Sequence, residues 1–168
     1  MGKFALVTGA YGGMGKAAVA LFKNNGYTVF ALDKKVENEE NGVIPIECDV
    51  TDELSVQNAI KTIVAITDRL DAVIHYAGIY MLDSLVEMSY DDFKKIFAIN
   101  LFGVYLINKA AMPLLRAGSK IVIVTSELAP LAPLPFTGIY AVSKGALDKY
   151  AYALRMELQL LGISVSVI

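Results

Sequence analysis

The chain has 168 residues, of which 55% are hydrophobic and 19% are charged, and its formal net charge is −2. This length suits one domain with a continuous core, and the lack of a basic run argues against nucleic acid as the main partner. No 18 apolar residues follow one another without interruption, and the start MGKFALVTGA lacks the long apolar region of a signal peptide, so we expect no membrane span.

Six short apolar runs predict buried strands. They are KFALVT at 3–8, YTVFALD at 27–33, VIPIECD at 43–49, LDAVIHYAG at 70–78, SKIVIVTS at 119–126 and ISVSVI at 163–168. Helical patterns lie near residues 13–25, 52–69, 89–116 and 139–161. Ser89 and Asp92 predict a capped start for the third helix. Apolar strands that alternate with helices predict a doubly wound α/β fold, in which helices cover both faces of a parallel sheet to give three layers.

The chain has one cysteine, Cys48, and one histidine, His75, each within a predicted apolar strand. We expect both side chains to be packed in the core rather than to act as ligands. A lone cysteine cannot form an internal disulfide and fits a reducing compartment, which predicts a cytoplasmic protein. Because there is no second histidine and no cysteine cluster, the sequence predicts no metal site.

The glycine-rich stretch LVTGAYGGMGKA, residues 6–17, follows the first strand and opens the first helix. Its glycines let the backbone turn tightly and approach a pyrophosphate, which then lies at the positive end of the helix. The ATP-binding pattern G-x-x-x-x-G-K-[ST] does not fit, because Ala10 stands at its first glycine and Ala17 at its Ser/Thr. A tight strand-to-helix turn without a ligand is the alternative.

An acidic residue, Asp33, ends the second predicted strand, 18 residues beyond Gly15. A carboxylate there can accept both hydroxyls of an adenosine ribose and would repel a 2′-phosphate. Lys34 and Lys35 follow and would partly offset that repulsion. The sequence therefore favours NAD over NADP as the cofactor of a single Rossmann-like domain over residues 1–168.

The stretch TGIYAVSKGAL, residues 137–147, places Tyr140 and Lys144 one turn apart on one helix face. A tyrosine hydroxyl ordinarily keeps its proton until about pH 10, and a nearby ammonium and oxidised nicotinamide both favour the phenolate. The two residues are either solvated neighbours or an acid/base and its cation. The start of this helix is expected at the carboxyl edge of the sheet, where ligands bind, and this favours the catalytic interpretation. Ser126, at the end of the fifth strand, could stabilise charge on a substrate oxygen.

Taken together and in this order, the motifs resemble those of the short-chain dehydrogenase/reductase family over residues 3–168. The family's T-G-x-x-x-G-x-G corresponds to TGAYGGMG at 8–15, and its Y-x-x-x-K to YAVSK at 140–144. YAG at 76–78 resembles the family's N-A-G, although Tyr76 replaces the asparagine, and the distance from Ser126 to Tyr140 is one residue longer than this family leads us to expect.

The resemblance implies two sets of site residues. The catalytic set is Asn100, Ser126, Tyr140 and Lys144. The cofactor-binding set is Gly9, Tyr11, Gly13, Met14, Gly15, Asp33, Asp49, Val50, Ala77, Gly78, Tyr140 and Lys144. In the family, Asp49 would meet the adenine amino group with Val50 beside the ring, and Asn100 would interrupt a helix and hold a water that links Lys144 to solvent.

The activity implied is that of an NAD-dependent alcohol dehydrogenase or ketone reductase. The loops IYMLDSLVEM (79–88) and ELAPLAPLPF (127–136) are mostly apolar, which favours a hydrophobic secondary alcohol or ketone, steroid-like and retinoid-like molecules included. Gly12 also completes T-G-x-x-G-x-x-G, so a nucleotide-sugar epimerase or dehydratase with tightly held NAD is an alternative. A non-catalytic dinucleotide-binding module is a further alternative.

Two expectations concern the whole chain. Family members continue beyond a strand such as 163–168 with a substrate lid and a last strand, so we expect this chain, which lacks both, to be either a fragment of a longer protein or a truncated natural form. The activity is expected of the longer protein rather than of this chain alone. The segment NLFGVYLINKAAMPLL, residues 100–115, is apolar around most of a helix circumference. This predicts a subunit interface in a homo-oligomer, either a dimer or a tetramer, with burial inside the chain's own domain as the alternative.

Overall fold

The computed structural model describes residues 2–131 and 133–168, which form one parallel sheet flanked by helices. The strands are β1 (Lys3–Thr8), β2 (Tyr27–Asp33), β3 (Val43–Glu47), β4 (Ala72–His75), β5 (Lys120–Ile123) and β6 (Ser164–Val167). The α-helices are α1 (Gly13–Asn24), α2 (Glu53–Val64), α3 (Tyr90–Phe97), α4 (Gly103–Ala111) and α5 (Gly138–Leu158). The six predicted strands are thus confirmed in order, and three of the four predicted helices correspond to α1, α2 and α5.

The six strands lie in the order β3-β2-β1-β4-β5-β6, and all neighbours are parallel. Val7 of β1 is in register with Ala31 of β2 on one side and with Ile74 of β4 on the other. The chain winds outward in opposite directions from β1 and β4. In open α/β sheets a ligand crevice forms at the carboxyl ends of the strands at such a point. The predicted doubly wound fold is confirmed.

Alternate residues of each strand face opposite layers of helices. Leu6, Phe30 and Ile121 belong to the cluster that α2, α4 and α5 cover. Val7 and Ala31 belong to the second cluster, which α1 covers. All five side chains are fully buried. Burial of each large aliphatic or aromatic side chain stabilises the fold by roughly 1.5–3 kcal/mol before entropy is counted, so the two clusters fix which face of the sheet each helix covers.

The third predicted helix, near 89–116, is not one regular helix. Ser89 caps α3 as predicted, because its hydroxyl accepts from the N–H of Asp92 at 3.0 Å. A π-helical turn at Ala98–Phe102 then separates α3 from α4, and a 3-10 turn at Met112–Leu114 follows α4. The whole segment Tyr90–Leu114 is long and apolar enough to cross a membrane, a test that core helices of globular proteins also pass. The expected lack of a membrane span therefore stays a prediction.

Strand β4 is shorter than the predicted strand over 70–78. The N–H of Tyr76 still bonds to the carbonyl of Thr8 at 3.0 Å, but that of Ala77 bonds to the Thr8 hydroxyl at 3.3 Å. This change of partner marks the point where the backbone leaves the sheet and passes along the glycine turn after β1. Residues 76–78 therefore form a wall of the crevice rather than part of a strand.

Candidate active site

Two glycines let the turn after β1 pack against its neighbours. Gly9 has a φ of +64°, and a Cβ on it would lie 2.6 Å from the backbone nitrogen of Ala77. A Cβ on Gly15 would lie 2.0 Å from the carbonyl oxygen of Gly9. Helix α1 begins here with Gly12 as its N-cap, and no described side chain caps it. Its first N–H groups have no partner within the helix, which suits an anion such as a pyrophosphate.

The turn forms one wall of a cleft of about 280 Å³ at the carboxyl ends of the strands. Six residues assigned to the cofactor from the sequence line it: Gly9, Asp33, Asp49, Val50, Ala77 and Gly78. The lining also includes six residues not assigned from the sequence: Gly12, Lys34, Cys48, Tyr76, Ile79 and Ile99. The only sequence feature that could have led to this second group is that some of its members lie next to a motif residue, as Lys34 does to Asp33.

The other residues of the predicted cofactor set lie around the turn rather than in the cleft lining. Tyr11 lines a separate groove of about 890 Å³ between α1 and residues 36–40. Gly13 and Met14 lie in the first turn of α1, and the Met14 side chain is 64% exposed. Gly15 is buried behind the turn, where it keeps α1 close to Gly9.

Asp33 is held in place by backbone donors. Its Oδ2 accepts the N–H of Tyr11 at 3.0 Å, and its Oδ1 accepts the N–H of Lys34 at 2.8 Å. Each carboxylate oxygen has a second lone pair, so Asp33 can still accept hydrogen bonds from hydroxyl groups in the cleft.

Lys34 forms an ion pair with a second carboxylate of the cleft lining. Its Nζ lies 2.7 Å from Oδ2 of Asp49. Burial acts to raise the pKa of Asp49, but hydrogen bonds from Lys34 and Thr51 outweigh it and hold that pKa below its ordinary value. The ammonium of Lys34 is thus paired with Asp49 at the same end of the cleft as Asp33.

Asn100, Gly78 and Lys144 meet beside the cleft. A Cβ on Gly78 would lie 3.4 Å from Asn100 Oδ1 and 3.7 Å from Lys144 Nζ. Lys144 is only 6% exposed, and its ammonium donates to the carbonyl of Val124 at 2.8 Å. Burial lowers the pKa of Lys144 to about 8. A cation is therefore held inside the domain next to the glycine that lines the cofactor cleft.

Tyr140 lies in the first turn of α5, one turn before Lys144. The Lys144 Nζ is 5.9 Å from the centre of the Tyr140 ring. Ser126 lies in the segment after β5, and its hydroxyl accepts the N–H of Leu128 at 3.2 Å. The bond from Lys144 to Val124 ties the ammonium to this segment. Within residues 2–131 and 133–168, Ser126 and Tyr140 make no hydrogen bond to each other.

Asn100 is fully buried in the π-helical turn. Its Oδ1 accepts the N–H of Ile79 at 2.8 Å, and its Nδ2 donates to the carbonyl of Ile79 at 3.0 Å. The same Nδ2 donates to Ser143 Oγ at 3.1 Å. Asn100 thus joins the loop after β4 to helix α5. Ile79 and Ser143 were not assigned from the sequence, and the role of Asn100 in holding a water stays a prediction.

His75 and Cys48 are buried, as predicted. His75 is 3% exposed, and its Nε2 lies 2.9 Å from Oδ1 of Asn108 on α4. Burial lowers the pKa of His75 to about 4, although the bond to Asn108 acts in the opposite direction. Cys48 is 1% exposed. Among the described residues, no group of His, Cys, Asp and Glu side chains is placed to hold a metal ion.

The sequence pattern of the short chain dehydrogenase family matches residues 3–168. The chain belongs to the short-chain dehydrogenase/reductase family. The predicted family is thus confirmed, and the fold agrees with solved structures of its members. A short-chain dehydrogenase/reductase from Serratia marcescens has a TM-score of 0.92 at 26% identity, over 99% of this chain and 77% of that one.

Two curated members of the family show how the chain relates to longer proteins. It is 35% identical to the NADPH-dependent 1-acyldihydroxyacetone phosphate reductase of Schizosaccharomyces pombe, over 98% of this chain and 57% of that protein. It is 31% identical to a cyclopentanol dehydrogenase of Comamonas, over 98% of this chain and 70% of that protein. The chain therefore spans about three-fifths to seven-tenths of the length of these two family members.

Proposed function

We propose that the chain carries the cofactor-binding and catalytic residues of an oxidoreductase that moves a hydride between NAD(H) and an alcohol or ketone. The observation that carries this proposal is the meeting of Lys144 with Gly78 and Asn100 at the cleft, one helical turn from Tyr140. A buried ammonium beside a tyrosine ring suits an acid/base pair, whereas cofactor binding alone does not need one.

The cleft fits a dinucleotide. Side chains at Gly9 and Gly15 would collide with backbone, so glycine is needed there for the turn to pack closely. The first N–H groups of α1, which no described side chain caps, then suit a pyrophosphate. In this proposal Asp33 holds the adenosine ribose hydroxyls, and Asp49 and Val50 border the adenine. When bound, the nicotinamide ring supplies or accepts the hydride.

The residues of the chain handle the proton. Tyr140 donates a proton to the substrate oxygen in reduction and removes it in oxidation. Lys144, whose pKa is about 8, is largely protonated at neutral pH and stabilises negative charge on the phenol oxygen. Ser126 donates a hydrogen bond to the substrate oxygen as charge develops there. Asn100 fixes the loop after β4 on one side and α5 on the other.

An apolar substrate fits the loops beside Tyr140. The loops after β4 and β5 expose apolar side chains there: Tyr80, Leu82, Leu85, Leu131, Leu134 and Phe136. A backbone bond from Asp83 to Phe136 at 2.9 Å joins the two loops. The Comamonas relative is named for a cyclic alcohol, and the Schizosaccharomyces pombe relative for an acylated dihydroxyacetone phosphate. Both names support an alcohol or ketone with an apolar portion here.

NAD is the cofactor we propose, because Asp33 presents a negative charge where NADP would place its 2′-phosphate. Lys34 carries a positive charge that could attract a 2′-phosphate, but its Nζ is already paired with Oδ2 of Asp49 at 2.7 Å. The yeast relative is named as NADPH-dependent, so the choice rests on Asp33 and its surroundings in this chain.

Fluorescence titration with NADH and, separately, NADPH tests the cofactor site. We expect saturable binding with NADH preferred, and we expect Asp33→Asn to reduce that preference about tenfold because it removes the negative charge. Asp52→Asn is the matched control, since Asp52 caps α2 and asparagine caps helices equally well. Binding of neither nucleotide, or an unchanged preference in Asp33→Asn, contradicts the proposed site.

Turnover of cyclopentanol with NAD, measured on the protein as the cell makes it, tests the chemistry. We expect Tyr140→Phe to lower kcat at least 100-fold while the Kd for NADH stays within about twofold, since only the proton donor is lost. Tyr152→Phe, at an exposed position of the same helix, should keep wild-type turnover. Normal kcat in Tyr140→Phe would refute the role of Tyr140. Conversion of a nucleotide sugar without net change in the cofactor would support the epimerase or dehydratase alternative.

A further inference from the structure

The ring of Tyr80 packs against the ring of Tyr140 in an edge-to-face contact. The ring centroids are 4.6 Å apart, and the ring planes meet at 74°. Tyr80 lies in the loop after β4, two residues beyond Gly78, and Tyr140 lies in the first turn of α5. The contact therefore joins two segments that flank the candidate substrate site.

The backbones that carry the two rings are tied to one side chain. Asn100 bonds to both the N–H and the carbonyl of Ile79, the residue before Tyr80. It also donates to the Ser143 hydroxyl, which in turn donates to the carbonyl of Tyr140 at 2.8 Å. The two rings thus extend from backbone segments whose separation is fixed by one buried and three partly buried hydrogen bonds.

The orientation of Tyr140 matters for proton transfer. A proton donor must lie within hydrogen-bond reach of the substrate oxygen, and a displacement of about 1 Å can cost roughly 100-fold in rate. An edge-to-face contact is attractive beyond simple burial, because the positive edge of one ring meets the negative face of the other. Tyr80 supplies this contact to Tyr140, while Lys144 lies 5.9 Å from the centre of the same ring.

We propose that Tyr80 is a positioning residue for the acid/base step, and that its ring holds the Tyr140 ring in one orientation relative to Lys144. The inference rests on the proposed function, in which Tyr140 exchanges the proton. The ring of Tyr80 makes the contact, so the Tyr80 hydroxyl is not required. Tyr80 is 58% exposed, so it is not a core residue, and packing in the core does not explain why its ring lies against Tyr140.

NMR of protein labelled with ¹³C in the tyrosine rings tests the contact without a substrate. Tyr140→Phe identifies the Tyr140 ring signal by its disappearance. Tyr80→Leu keeps apolar bulk but removes the ring, so we expect it to shift the Tyr140 signal. Tyr90→Leu is the matched control, because Tyr90 is also an exposed tyrosine but lies at the start of α3. An unshifted Tyr140 signal in Tyr80→Leu overturns the proposal.

Kinetics of the natural polypeptide with cyclopentanol and NAD test the consequence. We expect Tyr80→Leu to lower kcat about tenfold and to displace the pH profile of kcat, with the KM for NAD within about twofold of wild type. Tyr80→Phe should restore both kcat and the pH profile, and Tyr90→Leu should change neither.

Two results would overturn the role of Tyr80 while leaving the proposed function intact. One is wild-type kcat and pH profile in Tyr80→Leu, and the other is a loss in Tyr80→Phe as large as in Tyr80→Leu. Retained turnover in Tyr140→Phe would be a different failure, because it would remove the acid/base role on which the positioning of Tyr140 depends.

Discussion

His75 and Lys144 are ionisable side chains that the fold buries almost completely. His75 lies between β4 and α4, where it contacts Asn108, and Lys144 lies between α5 and the end of β5, where it contacts Val124. Burial disfavours the charged form of each, so the folded chain holds fewer protons than the unfolded chain over part of the pH range. Stability must rise with pH across each of these ranges.

For His75, that range runs from its folded pKa of about 4 to the ordinary value of 6.5. Folding stability should fall by roughly 3 kcal/mol as the pH drops through this range, because the unfolded histidine takes up a proton that the folded one refuses. Urea denaturation of wild type and His75→Gln between pH 5 and 7 measures this. The variant should lose less stability on acidification. Equal slopes for the two proteins would contradict the burial of a neutral histidine.

For Lys144, the pH range runs from its folded pKa of about 8 to the ordinary pKa of 10.5. Within it, wild-type stability should rise with pH by at most about 1.4 kcal/mol per pH unit. Lys144→Met should remove this rise and also abolish turnover, since the ammonium is lost. Lys149→Met removes an exposed lysine from the same helix and should retain both properties. The same rise in stability in wild type and Lys144→Met would exclude Lys144 as its source.

At the scale of single elements, the strand-to-helix turn and the π-helical turn place the site. The first needs glycine where backbone segments touch: Gly15 against Gly9, and Gly9 against Ala77. The second carries Asn100 into contact with the loop after β4. Both turns interrupt regular hydrogen bonding at the carboxyl edge of the sheet, where the cleft lies, and such interruptions are common at functional sites.

The two glycines at the start of α1 provide a matched test of the turn. Gly15→Ala should destabilise the domain and abolish NADH binding, because the new Cβ would lie 2.0 Å from the Gly9 carbonyl oxygen. Gly13→Ala should preserve the stability of the domain, because nothing lies within 4 Å of its Cβ position, and any loss of NADH binding in it would come from contact with the nucleotide rather than from misfolding. Thermal melting and NADH titration of the two variants compare them directly. Equal tolerance at both positions would show that close packing at Gly15 is not needed.

At the scale of the whole molecule, the helical segment that runs from the end of the π turn through α4 has two different sides. Val104, Ile107 and Ala111 are buried in the chain's own core. Phe102 and Tyr105 are 54% and 46% exposed. The alternative interpretation, burial inside the chain's own domain, thus holds for one side of this segment. The subunit interface stays a prediction, and the exposed aromatic side chains are where we expect it.

Sedimentation equilibrium tests this surface. We expect wild type to form a dimer or tetramer, and we expect the double variant Phe102→Lys, Tyr105→Lys to dissociate to monomers because the new charges would be buried without partners. Leu21→Lys is the control, because Leu21 is an exposed apolar residue of α1 on the other face of the sheet. A monomeric wild type, or a double variant that stays associated, would place any interface elsewhere.

The sequence predicted the elements of the sheet well because each strand is buried and locally apolar. It extended some strands too far, at 76–78 for example, because apolar residues continue where the backbone leaves the sheet to line the cleft. Asp33 could be found because it ends the second predicted strand. Tyr140 and Lys144 could be found because they lie one helical turn apart and match the family's Y-x-x-x-K.

The contacts within the site could not be predicted from the sequence in this way. Asn100 meets residues 21 and 43 positions away in the chain, at Ile79 and Ser143. Tyr80 meets Tyr140 from another loop. Such pairs depend on how the loop after β4 packs on α5. The spacing of apolar residues along the sequence contains no information about that packing. The apolar pattern over 89–116 continues through the π turn, so only the family resemblance, which gave Asn100 as a residue that interrupts a helix, pointed to a break there.

The π turn at Ala98–Phe102 makes the number of residues there matter as much as their identity. An i to i+5 turn holds about one residue more than an α-helical turn. The extra residue rotates the side chains of the following helix by about 100° about the helix axis. Deleting one residue would rotate α4 about its axis and swing Asn108 away from His75. In an alignment of relatives, a one-residue gap at 98–102 would therefore signal a change of site geometry more strongly than a substitution there.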